Sequence, residues 1–131
     1  MGIDYQIDAG RSLIHTRCVG EVTPAEVTAH FRTLAADPGV GGALDVLLDF
    51  RDLTTFPSSD QVQSIAYEIR NLLPKITWRH CAVVAPRDVT FGIGRMFEML
   101  SEQYFRATMV FRQLAEAERW LASRDRDDSR P

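Results

Sequence analysis

One apolar segment restricts the fold of this chain more than any other. Residues 44–50 form a nearly continuous apolar run that only Asp45 and Asp49 interrupt. A run of this length without polar alternation is typical of a strand that is covered on both faces. Such strands lie in the middle of parallel sheets, whose connections are usually helices. The run therefore predicts an α/β fold built around a central sheet.

Strand and helix patterns alternate along the rest of the chain. Further strands are predicted at 4–9, 12–20, 78–85 and 106–111, and helices begin near residues 23, 58, 89 and 113. Gly10 and Arg11 separate the first two strands and are typical of a hairpin turn. The order ββαβαβαβα predicts a mixed, mostly parallel five-stranded sheet with about four helices, because strands joined by helices pair in parallel.

The sequence indicates one domain followed by a tail. The domain is predicted to span 1–122, since no linker, repeat or low-complexity tract divides it. Its last helix is expected to cover 113–122. Residues 123–131 alternate arginine and aspartate without an apolar anchor, so we expect them to form a flexible charged tail.

Charge and apolar content exclude several classes of function. The 131 residues carry a formal net charge of −3, whereas nucleic-acid binders usually present a basic patch. No apolar run is long enough to span a membrane, and the N-terminal residues lack the pattern of a signal peptide. A cytoplasmic location is therefore expected, in which Cys18 and Cys81 stay reduced and buried.

Two hydroxyl side chains follow the central strand at the start of a predicted helix. Ser58 and Gln61 have the spacing of a capping box, in which each side chain binds the backbone N–H group of the other residue. The N–H groups and the dipole of a helix N-terminus also suit anion binding, phosphorylation or partner docking. Ser58 and Ser59 are therefore candidate phosphorylation sites, with helix capping alone as the simpler alternative.

The third predicted helix carries more apolar residues than one buried stripe requires. Phe97, Leu100 and Tyr104 have the spacing of a stripe that packs on a sheet. A second set is predicted to face solvent: Phe91, Met96, Met99 and Gln103. Its apolar members, Phe91, Met96 and Met99, are predicted to contact a partner or a second copy of the chain. Exposed methionines often mark adaptable binding surfaces. The alternative is a helix that is buried more deeply than most.

No catalytic or metal site is predicted. Zinc sites need three or four converging ligands, and the histidines and cysteines of this chain lack the spacing of such a site. Ser58, His80 and Asp49 include the residue types of a nucleophile triad, but no Gly-x-Ser-x-Gly motif surrounds the serine. We therefore expect no metal, no cofactor and no enzymatic activity.

The element order and the residues near Ser58 resemble the STAS domain, which has the SpoIIAA-like fold of the bacterial anti-sigma factor antagonists. The resemblance covers residues 3–122 in topology. In that family a hydrophobic strand ends in Leu-Asp or Ile-Asp-Phe, and an Asp-Ser-Ser-Gly or Asp-Ser-Thr-Gly turn begins the next helix. Residues 48–50 and the pair Ser58-Ser59 match these motifs, whereas Pro57 and Asp60 stand where the family has Asp and Gly.

This resemblance implies a non-enzymatic regulatory module that docks a protein partner. In the family, a partner kinase that is also the anti-sigma factor phosphorylates the first hydroxyl, which corresponds to Ser58. The loop and helix start around it, with Thr54, Thr55 and Asp60, are therefore expected to contact the partner. A homodimer is a further expectation, through the third helix.

A second use of the same fold leaves one alternative open. Sec14-related domains, which share it, carry lipids, and fold alone does not decide function. The alternative is a module that binds a small apolar molecule or a lipid between the sheet and the helices, in a pocket lined by Phe91, Met96, Phe97 and Met99. A pocket of several hundred cubic ångströms is expected in that case.

Overall fold

The computed structural model describes residues 2–55 and 58–128, and their side chains as far as Arg124. Phe56, Pro57 and the last three residues of the predicted tail, 129–131, lie outside the described residues. The described elements are β1 (Ile3–Asp8), β2 (Leu13–Gly20), α1 (Pro24–Ala36), β3 (Gly42–Leu53), α2 (Ser59–Asn71), β4 (Ile76–Val84), α3 (Asp88–Ser101), β5 (Ala107–Phe111) and α4 (Leu114–Asp128).

The five strands form one mixed sheet in the order β1-β2-β3-β4-β5. β1 and β2 are antiparallel, and every other neighbouring pair is parallel. Side chains of α1, α2 and α3 share one hydrophobic core with the sheet, and α4 packs in a second, smaller core on the other face. The predicted α/β fold and its element order are therefore confirmed.

β3 is the central strand, as its apolar run predicts, and its two aspartates are buried. Asp45 and Asp49 have exposed fractions of only 3% and 2%. Both lie on the face that carries α4, because they alternate along β3 with Leu44, Val46 and Leu48, which belong to the core under the other three helices. A buried carboxylate is costly unless it is paired or hydrogen-bonded, so each aspartate requires its own partners.

A β-bulge in β4 supplies the partners of Asp45. The register between β3 and β4 shifts between Leu44 and Val46, so Asp45 faces two residues, Arg79 and His80. Its Oδ1 atom accepts a hydrogen bond from the backbone N–H of His80 at 3.1 Å and lies 3.1 Å from Nδ1 of the same residue. The carboxylate thus accepts the hydrogen bond of the His80 N–H, a backbone group that the bulge takes out of the regular ladder of the sheet.

The N-terminus of α1 has one half of a capping box. Thr23 caps the helix, since its hydroxyl oxygen accepts a hydrogen bond from the Glu26 N–H at 3.2 Å. The glutamate side chain does not complete a capping box, because its Oε2 accepts the Gly2 N–H at 2.9 Å instead. The N–H of Gly2, which precedes β1 and is distant in sequence, thus replaces the local partner. This contact fastens the start of β1 to α1.

The C-terminus of α1 is held by Lys75, the only lysine of the sequence. Its ammonium group donates hydrogen bonds to the carbonyl oxygens of Leu34, Ala35 and Asp37 at 3.2, 2.6 and 2.7 Å. Carbonyl groups at a helix C-terminus lack partners within the helix and carry partial negative charge. A cation with three donors therefore suits this position.

α4 is longer than the sequence predicts. It continues to Asp128 rather than ending at Ala122, so the backbone of residues 123–128 is helical, and the flexibility of the charged tail stays a prediction. No glycine or proline occurs in this stretch to end the helix. The guanidinium group of Arg124 lies 5.4 Å from the centroid of the Trp120 ring, one turn earlier, and helps to continue the helix.

Substitution of Lys75 by methionine is expected to destabilise the fold. Lys75→Met keeps the apolar stem but leaves three carbonyl groups without their charged donor, which predicts a loss of about 2 kcal/mol in the free energy of unfolding. Urea denaturation measures this change. Arg32→Met, at an exposed position on α1, is the control and is expected to cost less than about 0.5 kcal/mol. Equal losses for the two variants would contradict the capping role of Lys75.

Candidate functional site

The loops that follow the parallel strands form one edge of the molecule. β2, β3, β4 and β5 end at this edge, and α1, α2, α3 and α4 begin there. We call it the carboxyl edge, and it comprises residues 21–23, 54–55 with 58, 85–87 and 112–113. Ligands and partners of open α/β sheets commonly bind at such an edge.

Thr54 and Thr55 join the loop after β3 to the loop after β2. The backbone N–H of Thr54 donates to the Gly20 carbonyl at 2.9 Å, and the hydroxyl oxygen of Thr55 accepts the Val22 N–H at 3.0 Å. Thr54 is exposed and Thr55 half-buried. Both predicted partner-contact residues therefore lie at the carboxyl edge, and the Thr55 hydroxyl positions the neighbouring loop.

Two arginines extend these links across the edge. Arg87, which precedes α3, donates from its guanidinium group to the Leu53 carbonyl, in the strand end before the Ser58 loop. Arg112, which follows β5, donates to the Pro86 carbonyl at 3.1 Å and pairs with the Asp88 carboxylate at 2.9 Å. Each loop of the carboxyl edge is therefore tied to the next by a hydrogen bond or an ion pair.

Ser58 caps α2 as the sequence predicts. Its hydroxyl oxygen accepts the Gln61 N–H at 3.2 Å, and the Gln61 side chain accepts the Ser58 N–H at 2.8 Å. Ser58, Ser59 and Asp60 are all exposed. The capping box is confirmed, and the two candidate hydroxyls and the candidate carboxylate stand together at the accessible start of the helix.

The three candidate contact residues of α3 do not share one exposed stripe. Met99 is 70% exposed. Phe91 and Met96 are half-buried and pack against the main core, and the Arg112 guanidinium covers the Phe91 ring at 4.4 Å from its centroid. Phe91 and Met96 are therefore only partly exposed, because each contacts neighbouring elements at one side of the helix.

A charged cluster near the end of β3 was missed by the sequence interpretation. Arg51 donates from Nε and its terminal nitrogen to both Asp49 oxygens, at 2.9 and 2.8 Å, and His15 lies 3.4 Å from the same carboxylate. Burial raises the pKa of Asp49, but the hydrogen bonds from Arg51 outweigh it and hold this pKa below its usual value. The i, i+2 spacing of the aspartate and the arginine along one strand was the available signal, because such residues share a face.

A small apolar crevice lies between the sheet and the first three helices. Its volume is about 40 Å³, and its lining is Ile14, Thr16, His30, Phe31, Leu34, Val46, Leu48, Ile65, Ile69, Trp78, Phe97 and Phe105. Of the four residues predicted to line an apolar pocket, this crevice includes Phe97 and not Phe91, Met96 or Met99. Those three lie toward the outside of α3, whereas the crevice is centred on α1 and α2.

His30 is the one titratable side chain in the lining of this crevice. Its ring packs edge-on against Tyr5 and Phe31, with centroid distances of 5.6 and 5.2 Å. Burial lowers the pKa of His30 from 6.5 to about 4, because an imidazolium ion would lose its hydration among aromatic and aliphatic groups. The crevice therefore holds a neutral imidazole at neutral pH.

The other chemistry considered from sequence is not assembled in the described part of the chain. His80 contacts Asp45 at the bulge, and Ser58 contacts Gln61, so these contacts do not join the serine, histidine and aspartate of the imagined triad. Among the residues that the structure describes, no group of three histidine, cysteine or acidic side chains is placed to hold a metal ion. Both cysteines are free, with Cys81 buried and Cys18 partly buried.

No described helix combines the length and the apolar content needed to cross a membrane.

Comparison with known proteins identifies the fold. No protein-family model matches the sequence, and no curated protein matches it. Among solved structures, the chain is similar to an uncharacterised protein of the DUF3478 family from Shewanella loihica PV-4, which is described as having a SpoIIAA-like fold. The two are 16% identical, the match covers 91% of each chain, and the TM-score is 0.59. The chain therefore has a SpoIIAA-like fold, as the resemblance implied.

Acidification is expected to destabilise the protein through His30 at a higher pH than through Asp37 or Asp49. The pKa of His30 is about 4 in the folded chain and 6.5 in the unfolded one. As the pH drops from 6.5 toward 4, His30 therefore takes up a proton in the unfolded chain but not in the folded chain, and the free energy of unfolding falls. Above pH 6.5 the imidazole is neutral in both states, and this loss is absent. The pKa values of Asp37 and Asp49 are lowered from 3.8, so their contributions fall only at more acidic pH.

The free energy of unfolding, measured from pH 7.5 to pH 4.5, tests this expectation. The wild-type chain should lose stability over that interval more steeply than His30→Phe, which keeps an aromatic ring against Tyr5 but does not titrate. Parallel curves for the two chains would show that His30 titrates normally in the folded state.

Proposed function

We propose that this protein is a non-enzymatic regulatory module that docks a protein partner through its carboxyl edge. The observation that supports this most is the chain of contacts across the edge, from Val22 to Thr55, from Leu53 to Arg87 and from Pro86 to Arg112. Exposed polar side chains stand on these fixed loops. The proposal assigns the partner docking that the STAS resemblance implies to one surface of this chain, the carboxyl edge.

Fixed loops favour binding because they reduce the entropy that is lost on association. The loop after β3 is tied on both sides, by Thr55 to one neighbour and at Leu53 to Arg87. A partner at this edge would meet the exposed hydroxyls of Ser58 and Ser59 and the carboxylate of Asp60. These groups offer hydrogen-bond donors, acceptors and one negative charge at the capped start of α2.

Phosphorylation of Ser58 would change this surface without removing the start of the helix. A phosphate at the N-cap has oxygens that accept N–H groups, and the helix dipole favours its negative charge. The carboxylate of Asp60, in the first turn of the same helix, would repel the phosphate and so limit the gain. Ser58, with Ser59 as the second candidate, is the proposed regulatory site, and the resemblance suggests a kinase that is also an anti-sigma-like factor as the partner.

A second candidate function is the binding of a small apolar molecule or a lipid, and the apolar crevice supports it. The lining includes imidazole and hydroxyl groups of His30 and Thr16 among aliphatic and aromatic side chains. A volume of about 40 Å³ is far below the several hundred cubic ångströms of common ligand pockets. A ligand would have to separate α1 from α2, so partner docking at the carboxyl edge is the function that the geometry supports better.

Site-specific crosslinking in the native host tests partner docking. A photo-crosslinking residue replaces Asp60 at the carboxyl edge, and the matched control replaces Gln6, an exposed residue of β1. We expect a distinct protein to be crosslinked from position 60 and not from position 6. The same set of proteins at both positions, or none at position 60, would contradict the proposal.

The intact mass of the chain isolated from its host tests regulation at Ser58. Asparagine is as good an N-cap as serine but has no hydroxyl to modify, so Ser58→Asn is expected to keep the stability and to lose the added mass of a phosphate. Ser59→Ala is the control that should retain it. A phosphate that persists in Ser58→Asn, or that is absent from the wild-type chain under all growth conditions, would refute regulation at this serine.

A further inference from the structure

The outer side of α3 is apolar along its length. Val89, Gly92, Met96 and Met99 follow one another at spacings of three and four residues, which places them on one side of a helix. Val89 is 55% and Met99 70% exposed, Gly92 is exposed and Met96 is half-buried. We call these four residues the α3 stripe. It faces away from Gly94, Phe97 and Ser101, the buried residues of the same helix.

The two glycines of α3 differ in whether the fold itself requires a residue without a side chain. A Cβ atom on Gly94 would lie 2.9 Å from a methyl carbon of Val110, so the fold requires a glycine where α3 contacts β5. A Cβ atom on Gly92 would meet nothing within 4 Å. Glycine in a helix interior costs about 1 kcal/mol relative to alanine, and no packing within the described chain explains that cost at Gly92. Close approach of another backbone would explain it.

The charged side chains beside the stripe alternate in sign, so that the same flank of a second, antiparallel copy would present opposite charges to them. Asp88, Arg95 and Glu102 occur at intervals of seven residues, which brings them to one flank of the helix. The side chains of Asp88 and Arg95 are 92% and 64% exposed, and Glu102 is exposed. The order along this flank is acidic, basic, acidic.

From these observations we infer that α3 binds the α3 of a second copy of this chain, antiparallel to it and crossing it at Gly92. In such a crossing, a residue that lies a given number of positions after Gly92 in one copy is level with the residue that lies the same number of positions before Gly92 in the other copy. Arg95 of one copy then lies opposite Val89 and beside Asp88 of the other, and the two-fold symmetry forms this ion pair twice. A parallel arrangement would place Arg95 against Arg95 and Asp88 against Asp88, which the like charges disfavour.

The existing contacts of these charges permit the exchange. Arg95 lies 3.7 Å from Glu98 in the same helix, and Asp88 pairs with Arg112. The Asp88–Arg112 pair is well exposed, and such pairs contribute little to stability. The Arg95–Glu98 contact is longer than a hydrogen bond, and the Arg95 side chain is 64% exposed. A single pair of crossing helices buries less surface than the roughly 800 Å² per partner of a standard interface. The dimer is therefore expected to be weak and to depend on protein and salt concentration.

Sedimentation velocity over a range of concentrations at low salt tests this dimer. The wild-type chain should associate reversibly to a dimer, and Arg95→Glu should raise the dissociation constant about tenfold or more, because it places like charges at both ends of the crossing. Adding Asp88→Arg to Arg95→Glu exchanges the charges and should restore association. Adding Glu102→Arg instead is the matched control and should not restore it. A wild-type monomer at all concentrations, or rescue by the control and not by Asp88→Arg, would overturn the inference.

Alanine at Gly92 separates folding from association. Gly92→Ala should raise the thermal midpoint by about 4 °C, because alanine favours the helix and its Cβ meets free space. The same variant should weaken the dimer, because the added methyl group holds the two helices apart. Gly94→Ala should lower the midpoint through its clash with Val110. A Gly92→Ala chain that is more stable and dimerises as well as the wild type would overturn a crossing at Gly92. The dimer shares one residue with the contacts of the carboxyl edge, since Asp88 pairs with Arg112 there.

Discussion

The buried carboxylate of Asp45 is the contact on which the alignment of the sheet depends. It lies in the central strand, opposite the bulge of β4, and accepts the amide of His80. The extra residue of the bulge lets Trp78 and Cys81, three residues apart, face the same core. Because a one-residue slip moves every side chain of a strand to the other face, this contact fixes which residues of β4 meet which helices. The ends of β3 and β4, and so the geometry of the carboxyl edge, follow from that alignment.

Much of the fold could be predicted because its local signals agree. The apolar run of β3, the proline after Thr23 and the capping box at Ser58 each specify one element, and their order leaves few topologies. The bulge could not be predicted, since Asp45 in the sequence is only an interruption of an apolar run. The end of α4 was missed for a related reason: polar residues without an apolar partner suit a tail or an exposed helix equally well.

Part of the candidate site could also be predicted from the sequence. Thr55 and Ser58 lie in the short connection between β3 and α2, so their place at the carboxyl edge follows from the order of these two elements. The contacts of Arg87 and Arg112 that connect neighbouring loops join segments distant in sequence, and no local pattern indicates them. The partial burial of Phe91 and Met96 could not be predicted, because apolar spacing alone does not say which side of α3 a neighbour covers. The carboxyl edge is polar and the crevice is apolar and small, and none of the residues that line the crevice belongs to the edge.

Native mass spectrometry of the chain, isolated gently from its own host, is the most direct test of which site functions. The account predicts a complex of the chain with a second protein, from which denaturation releases two polypeptides and no small molecule. A stoichiometric small molecule that stays bound to the folded chain and is released on unfolding would contradict it. That result would make the crevice beside His30, rather than the carboxyl edge, the functional site.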